Sequence, residues 1–350
     1  MKPKVAINGF GRVGKNILRI WLEDQSQMEI VALNSTSGPK AHAHLFKYDS
    51  IYGVLDHSVD STDDAIVIDG KTIAFFSERD PEKLPWDELD VDVVIEATGK
   101  LRKKVDAVKH LHAGAKRVII TAPGKNVDNT IVMGINEDTF DPEKDYVISS
   151  ASCTTNCLAP LVKVIDENLG VINGSLSTIH AYTADQQLVD KPHKDLRRAR
   201  GAALSIIPTT TGAARAIGTV MPHLAGKLNG IALRVPTEAV SVVDFVANVK
   251  KATTKEEVNR LFKKASHGIL KGILGYTEDP VVSRDLIRAS HSSVVDGLST
   301  MVIDDKVVKV MAWYDNEYGY AKRVFEMARY IYDACQKHGR LQPLKAAIGS

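Results

Sequence analysis

The segment Val5-Ala-Ile-Asn-Gly9-Phe-Gly11-Arg-Val-Gly14 constrains this chain more than any other. A short apolar run at 5–8 leads into three glycines. A helical pattern follows at 12–23, with Val13, Ile17, Ile20 and Trp21 at helical spacing. Glycines placed so permit a tight turn, a close backbone approach to a pyrophosphate, and close packing of helix on strand. The helix start adds unpaired N–H groups and the positive end of a dipole. A turn chosen for packing alone would use the same residues, but the position between strand and helix favours dinucleotide binding.

The rest of the first half alternates. Strands are expected at 30–34, 91–97, 116–121, 131–135 and 146–149, and a hairpin at 64–76 turning on Asp69-Gly70. Helices are expected at 39–47, with Pro39 at the start, and at 104–112, closed by Gly114. Such alternation predicts a mostly parallel sheet covered by helices on both faces. The second half differs. A helix starts at Cys153 and runs to about 168, a strand covers 174–181, and a charged, weakly periodic stretch spans 183–203. Longer strands follow at 230–235, 239–249, 299–303 and 307–314, with helices at 255–265 and 318–336. Long strands with fewer helices predict an α+β domain on a mixed sheet. A chain of 350 residues has room for both, and the change falls near residue 150. The tail, 337–350, reads as a loose terminus without a motif.

Composition excludes several classes. Lys and Arg number 45 against 43 Asp and Glu, so the basic excess of a nucleic-acid-binding protein is missing. No run of 18 apolar residues exists to span a membrane. The N-terminal MKPKVAINGFG holds no apolar signal region, and the expected compartment is the cytoplasm. Three cysteines, Cys153, Cys157 and Cys335, make no disulfide framework, and neither paired CxxC nor HExxH is present to hold zinc, so no metal is expected.

The second strand ends in Asn34-Ser35-Thr36-Ser37-Gly38-Pro39-Lys40. A carboxylate here would bind the ribose hydroxyls of NAD and repel a 2′-phosphate. None occurs between Asn34 and Lys47, and hydroxyls with a lysine can donate to a phosphate. NADP use is therefore favoured, with NAD still served if Ser35 discriminates nothing. A second strong feature is Ser149-Ser-Ala-Ser152-Cys153-Thr-Thr-Asn156-Cys157. A thiol at a helix N-terminus has a lowered pKa, and an adjacent imidazolium lowers it further. Cys157, one turn along, reads as packing. Cys153 alone could also be a small buried hydrophobe. A histidine beside it would separate the readings.

INGFGRVG, SASCTTNCLAP, HAYTADQ, PHKDLRRAR, PTTTGAA, LRVPT and WYDNEYGY stand in the same order as in phosphorylating glyceraldehyde-3-phosphate dehydrogenases of type I, and the resemblance spans about 3–335. It implies an α/β fold: a Rossmann-type doubly wound parallel sheet at 1–151, and at 152–317 an α+β catalytic domain with a mixed, mainly antiparallel sheet. The helix 318–337 would pack back on the first domain. It implies reversible oxidation of glyceraldehyde 3-phosphate with inorganic phosphate to 1,3-bisphosphoglycerate, through a Cys153 thiohemiacetal and thioester, with His180 as base. Taken alone, His180 could equally be a hydrogen-bonded core histidine. Ser152, Thr154, Thr183, Arg198, Thr211, Gly212 and Arg234 would hold the two phosphates, although Arg198 by itself reads as one charge on a solvated loop.

Cofactor contacts would come from Gly9, Gly11, Arg12, Val13, Gly14, Asn34, Ser35, Arg79 and Thr121, with Asn316 orienting the nicotinamide carboxamide. The resemblance further implies a homotetramer in which the 183–203 loop reaches toward a neighbouring cofactor site. Lys191 would there add charge near a 2′-phosphate. That loop is locally basic, and an anionic cofactor and substrate explain it without nucleic acid. Ser35 stands where NAD-specific members carry aspartate, and Lys191 where such members often have leucine. Both departures favour NADP. Ser150 replaces an asparagine, and Tyr318 a tryptophan, with effects expected on packing. Two alternatives stay open: an erythrose-4-phosphate dehydrogenase, which would release a free acid, and a binding or adhesion protein whose catalysis is incidental.

Overall fold

The computed structural model describes residues 1–343. The chain divides into two compact units, Met1–Ile131 with Glu137–Ala151 and Ala321–Ser350, and Val132–Asn136 with Ser152–Tyr320.

The first unit is built on nine strands in the order Asn129–Thr130, Val147–Ser149, Arg117–Ile120, Val93–Glu96, Lys4–Asn8, Glu29–Asn34, Lys71–Phe76, Ala65–Ile68, Val59–Ser61. The pairs are parallel from the first to the seventh strand, and the last two add as an antiparallel edge. Val93–Glu96 and Arg117–Ile120 are buried along their whole length, as strands covered on both faces must be. Ala6, Val94, Val118, Trp86 and Leu111 pack in one apolar cluster. The chain leaves Lys4–Asn8 for a neighbour on one side and later returns to pair on the other. That reversal opens a crevice at the carboxyl ends of the central strands, where open α/β sheets bind ligands. The helix Tyr318–Lys337 gives its residues from Ala321 onward to this unit. There Arg329 donates to the Gln27 carbonyl (2.9 Å) and Tyr330 Oη to that of Glu137 (2.8 Å).

The second unit carries seven strands, Ile207–Thr210, Leu228–Val235, Val171–Ala181, Ser241–Val249, Val307–Tyr314, Ser293–Ile303 and Leu274–Thr277. Four of the six pairings are antiparallel. The helix Cys153–Leu169 begins at Ser152, whose Oγ accepts the Thr155 N–H. The strand pairing sets His180 beside Arg234.

Several expectations need correction. The run 131–135 is not a strand: Ile135 N–H turns back to the Val132 carbonyl, and Gly134 has φ +83°. The helix at 104–112 is two short segments, Lys104–Ala107 and Lys109–His112, joined by i−3 bonds such as Leu111 to Val108. The strand expected from 239 starts at Ser241, because Val240 sits at φ 64°. Ser293–Ile303 is longer than the expected 299–303. In the tail, Arg340 is tied down: its carbonyl accepts from Arg117, and its guanidinium meets Glu143 at 2.7 Å. The remainder of the tail, 344–350, lies outside the described residues.

Candidate active site

In the first unit the crevice is a cleft of about 480 Å³ lined by Asn8, Gly9, Gly11, Asn34, Ser35, Thr36, His42, Glu78, Arg79 and Thr98, among others. Gly9 has φ +101°, and a Cβ there would lie 2.5 Å from the Ala97 and Thr98 backbone. Gly14 stands against the Gly9 carbonyl, at 2.4 Å for a hypothetical Cβ. These two glycines shape the turn. Gly11 differs, since nothing lies within 4 Å of the space a Cβ would take. It is the N-cap of Arg12–Glu23, with no side-chain cap and no acid in the first turn. No side chain of Gly11 and no first-turn acid answers the positive end of that helix, which favours an anion there. A pyrophosphate fits these residues.

Of the other residues expected at the cofactor, Asn34, Ser35 and Arg79 line the cleft, whereas Arg12, Val13, Gly14 and Thr121 do not. Arg12 is paired with Asp49 (2.6 Å), and the Thr121 hydroxyl donates to the Glu96 carbonyl (3.2 Å). Asn34 is locked, donating Nδ2 to Asn8 Oδ1 (2.6 Å) and accepting the Glu78 N–H on Oδ1 (2.9 Å).

In the second unit Cys153 is the first residue of its helix, and its Sγ lies 3.5 Å from His180 Nε2. His180 Nδ1 meets the Ala181 carbonyl at 2.7 Å. A carbonyl only accepts, so Nδ1 carries the proton and Nε2 faces the sulfur as a bare acceptor. Burial, with Arg234 next, holds the His180 pKa down to about 3. For Cys153, burial pushes the thiol up, while Arg234 and the N–H groups of Thr154 and Cys153 pull it down. The helix terminus acts as the sequence implied, but burial outweighs it. The expected imidazolium partner is a neutral imidazole. Tyr314 supports both groups. Its ring stands edge-on to His180 (5.9 Å, 80°), and its hydroxyl lies 2.9 Å from those of Thr154 and Thr178.

The cationic side chains gather on the same unit. Arg234 Nη1 donates to the Ala181 carbonyl (3.1 Å) and Thr183 Oγ1 (3.2 Å), and its buried Nε has no partner among the described residues. Arg198 is held by Asp185 (2.5 Å) and Thr209 Oγ1 (3.0 Å). Gly212 caps the Ala213–Val220 helix with no side-chain bond and open space at its Cβ position, and the Thr211 hydroxyl accepts the Ala213 N–H. The Ser152 hydroxyl also caps its helix, and that of Thr154 meets the Tyr314 hydroxyl. Lys191 is exposed, with its N–H on the Ala199 carbonyl. Ser241 Oγ receives the Ala181 N–H (3.0 Å) and donates to Asn316 Oδ1 (2.9 Å), which fixes the amide with its oxygen on Ser241.

Comparison with known proteins decides the family. A model of the NAD binding domain of glyceraldehyde 3-phosphate dehydrogenase matches residues 3–104, and one of its C-terminal domain matches residues 152–316. Glyceraldehyde-3-phosphate dehydrogenase of Geobacillus stearothermophilus is 56% identical over 331 residues, 95% of this chain and 98% of that protein. The chain belongs to the glyceraldehyde-3-phosphate dehydrogenase family. Glyceraldehyde-3-phosphate dehydrogenase 2 of Bacillus subtilis is 54% identical over 95% of this chain and 97% of its own length. Its namesake in Trichormus variabilis is 53% identical over 94% and 98%. The chain is thus an oxidoreductase of this family that uses a nicotinamide cofactor. Among the described residues no helix is long and apolar enough to cross a membrane, and no cluster of potential metal ligands occurs.

Sequence reasoning missed several residues of this dehydrogenase. Asp185 and Tyr314 lay inside the quoted motifs HAYTADQ and WYDNEYGY, yet nothing in the spacing told that one would brace Arg198 and the other His180. His42 and Ser241 stood in no motif and are found only from the folded chain.

Proposed function

We propose that the protein carries out the phosphorylating oxidation of glyceraldehyde 3-phosphate, with NADP accepted beside or ahead of NAD. The observation that carries this reading is the Cys153–His180 contact beside Arg234. Cys153 Sγ adds to the aldehyde carbon while His180 Nε2 takes the thiol proton. His180 hands that proton to the tetrahedral oxygen and takes it back as hydride leaves the carbon and the thioester forms. The nicotinamide, when bound, supplies the hydride acceptor for that oxidation. Phosphate then attacks the thioester carbon, and Cys153 leaves as thiolate and regains a proton from His180.

Arg234 and Arg198, with Ser152, Thr154, Thr183, Thr211 and Gly212, supply cationic and hydrogen-bonding contacts for the two phosphates. Ser152 shapes the thiol turn as its cap, and Thr154 does so through Tyr314. Asn316, fixed by Ser241, offers its amide N–H to the carboxamide of the ring. Gly9, Gly11 and Gly14 shape the turn for the dinucleotide, Asn34 and Arg79 line its cleft, and Arg12, Val13 and Thr121 add further cofactor contacts. Ser35 admits a 2′-phosphate, and Lys191 of a second copy adds charge in a cytoplasmic homotetramer.

The test is kcat/KM for glyceraldehyde 3-phosphate with each cofactor, with and without inorganic phosphate. The reading expects strong phosphate dependence, with NADP at least equal to NAD. NAD far ahead discards the Ser35–Lys191 inference. Indifference to phosphate moves the chain to the acid-forming relatives.

A further inference from the structure

His42 lies on the Pro39–Lys47 helix and lines the cofactor cleft. Its ring is set between Phe10 (centroids 5.6 Å) and Phe75 (5.5 Å). Nε2 is 2.9 Å from Ser35 Oγ, while Nδ1 is buried with no partner among the described residues. A buried N–H without an acceptor costs more than a buried lone pair in this apolar slot. The proton therefore sits on Nε2 and is donated to Ser35 Oγ. An oxygen that accepts this bond must direct its own O–H elsewhere, and accepting strengthens it as a donor. The charges around the ring do not replace this arrangement. Lys15 approaches from the Arg12–Glu23 helix, Glu78, Arg79 and Lys100 line the same cleft, and Lys40 and His44 share its helix. Glu78 is turned onto its own backbone, accepting the Arg79 and Asp80 N–H groups. Burial and Lys15 hold the His42 pKa down to about 4, so the ring stays neutral at pH 7.

We propose that His42 is a positioning residue that makes Ser35 a hydrogen-bond donor to the adenosine ribose 2′ substituent, and so selects for a 2′-phosphate over a 2′-hydroxyl. The proposal deepens the NADP reading above and rests on it. A phosphate only accepts, and it gains most from a fixed donor. A ribose hydroxyl can turn to donate or accept and gains less.

The test measures dissociation constants for NADP and NAD, and steady-state constants, on wild type, His42→Leu, His42→Gln, Ser35→Ala and the His42→Leu/Ser35→Ala double variant. His42→Leu is expected to weaken NADP about tenfold, one good hydrogen bond, and NAD by less than about threefold. The change should fall in KM for NADP more than in kcat. His42→Gln, which keeps an N–H at similar reach, should recover most of the loss. The double variant should bind NADP no worse than Ser35→Ala alone. Equal weakening of both cofactors, or losses that multiply in the double variant, overturn the proposal. Wild type that ignores NADP overturns the NADP reading instead. The positioning role is then judged on NAD, where multiplying losses overturn it and a non-additive pair sustains it. Should His42→Leu not fold, His42→Phe carries the same test.

Discussion

The helix Arg12–Glu23 of the first unit and the helix Cys153–Leu169 of the second both begin after a small residue in extended conformation. Gly11 has φ −85° and ψ −155°, Ser152 φ −107° and ψ 162°. Gly11 offers no side chain to cap the first turn, and space stands open where a Cβ would be. Ser152 caps Thr155 itself, and the remaining N–H groups, those of Cys153 and Thr154, face the thiol of the next residue. In the proposed function the same positive helix end serves a phosphate in one unit and a nucleophile in the other. One side-chain oxygen separates the two uses.

The comparison is broken most severely at the thiol. Cys153→Ser should lower aldehyde oxidation by at least about 10³-fold, because an alcohol beside a neutral imidazole is a far weaker nucleophile, while cofactor titration of the first unit stays as in wild type. Near-normal turnover in that variant removes the nucleophile assignment.

Two glycine substitutions sharpen the other side. Gly9→Ala should cost about 3 kcal/mol or abolish folding, since its Cβ meets backbone at 2.5 Å and its φ is positive. Gly11→Ala should change stability by no more than about 0.5 kcal/mol yet raise KM for the cofactor, because only the ligand occupies that space. Denaturant unfolding and cofactor KM on the two variants check the contrast. Equal stability losses would mean that Gly11 serves packing.

Ser152→Ala removes the cap and should destabilise the second unit by about 1 kcal/mol, measured by urea unfolding. The smallest effect is one of pH. His180 and His42 have folded pKa values of about 3 and about 4, below the ordinary 6.5. Between those values the unfolded chain binds more protons, so stability should be full above about pH 6.5 and fall as the pH drops toward 4. In His42→Leu the melting temperature should fall less steeply over that range. An identical slope would show that His42 is not held neutral.

Much of this was legible in the residues. Strand, glycine turn and helix at 5–23 form from local signals alone, and the thiol at a helix start follows from the small hydroxyl residues before Cys153. Other features needed long-range pairing. That His180 stands beside Arg234 depends on the register of two strands more than 40 residues apart in the chain. The braces Tyr314 and Ser241 depend on side-chain reach within the folded sheet, and Asp185 on the course of the loop after Val171–Ala181. The run 131–135 has the apolar composition of a strand, but Gly134 at positive φ folds it into a turn. The balance of pKa shifts at Cys153 was also hidden, because burial is a property of the whole unit.

The most direct test of the central claim is mass spectrometry of the protein mixed with glyceraldehyde 3-phosphate and oxidised cofactor, without phosphate and then after adding it. The account predicts a phosphoglyceryl group on the peptide bearing Cys153 that inorganic phosphate removes. Absence of that group, its presence on another residue, or its indifference to phosphate would contradict the account.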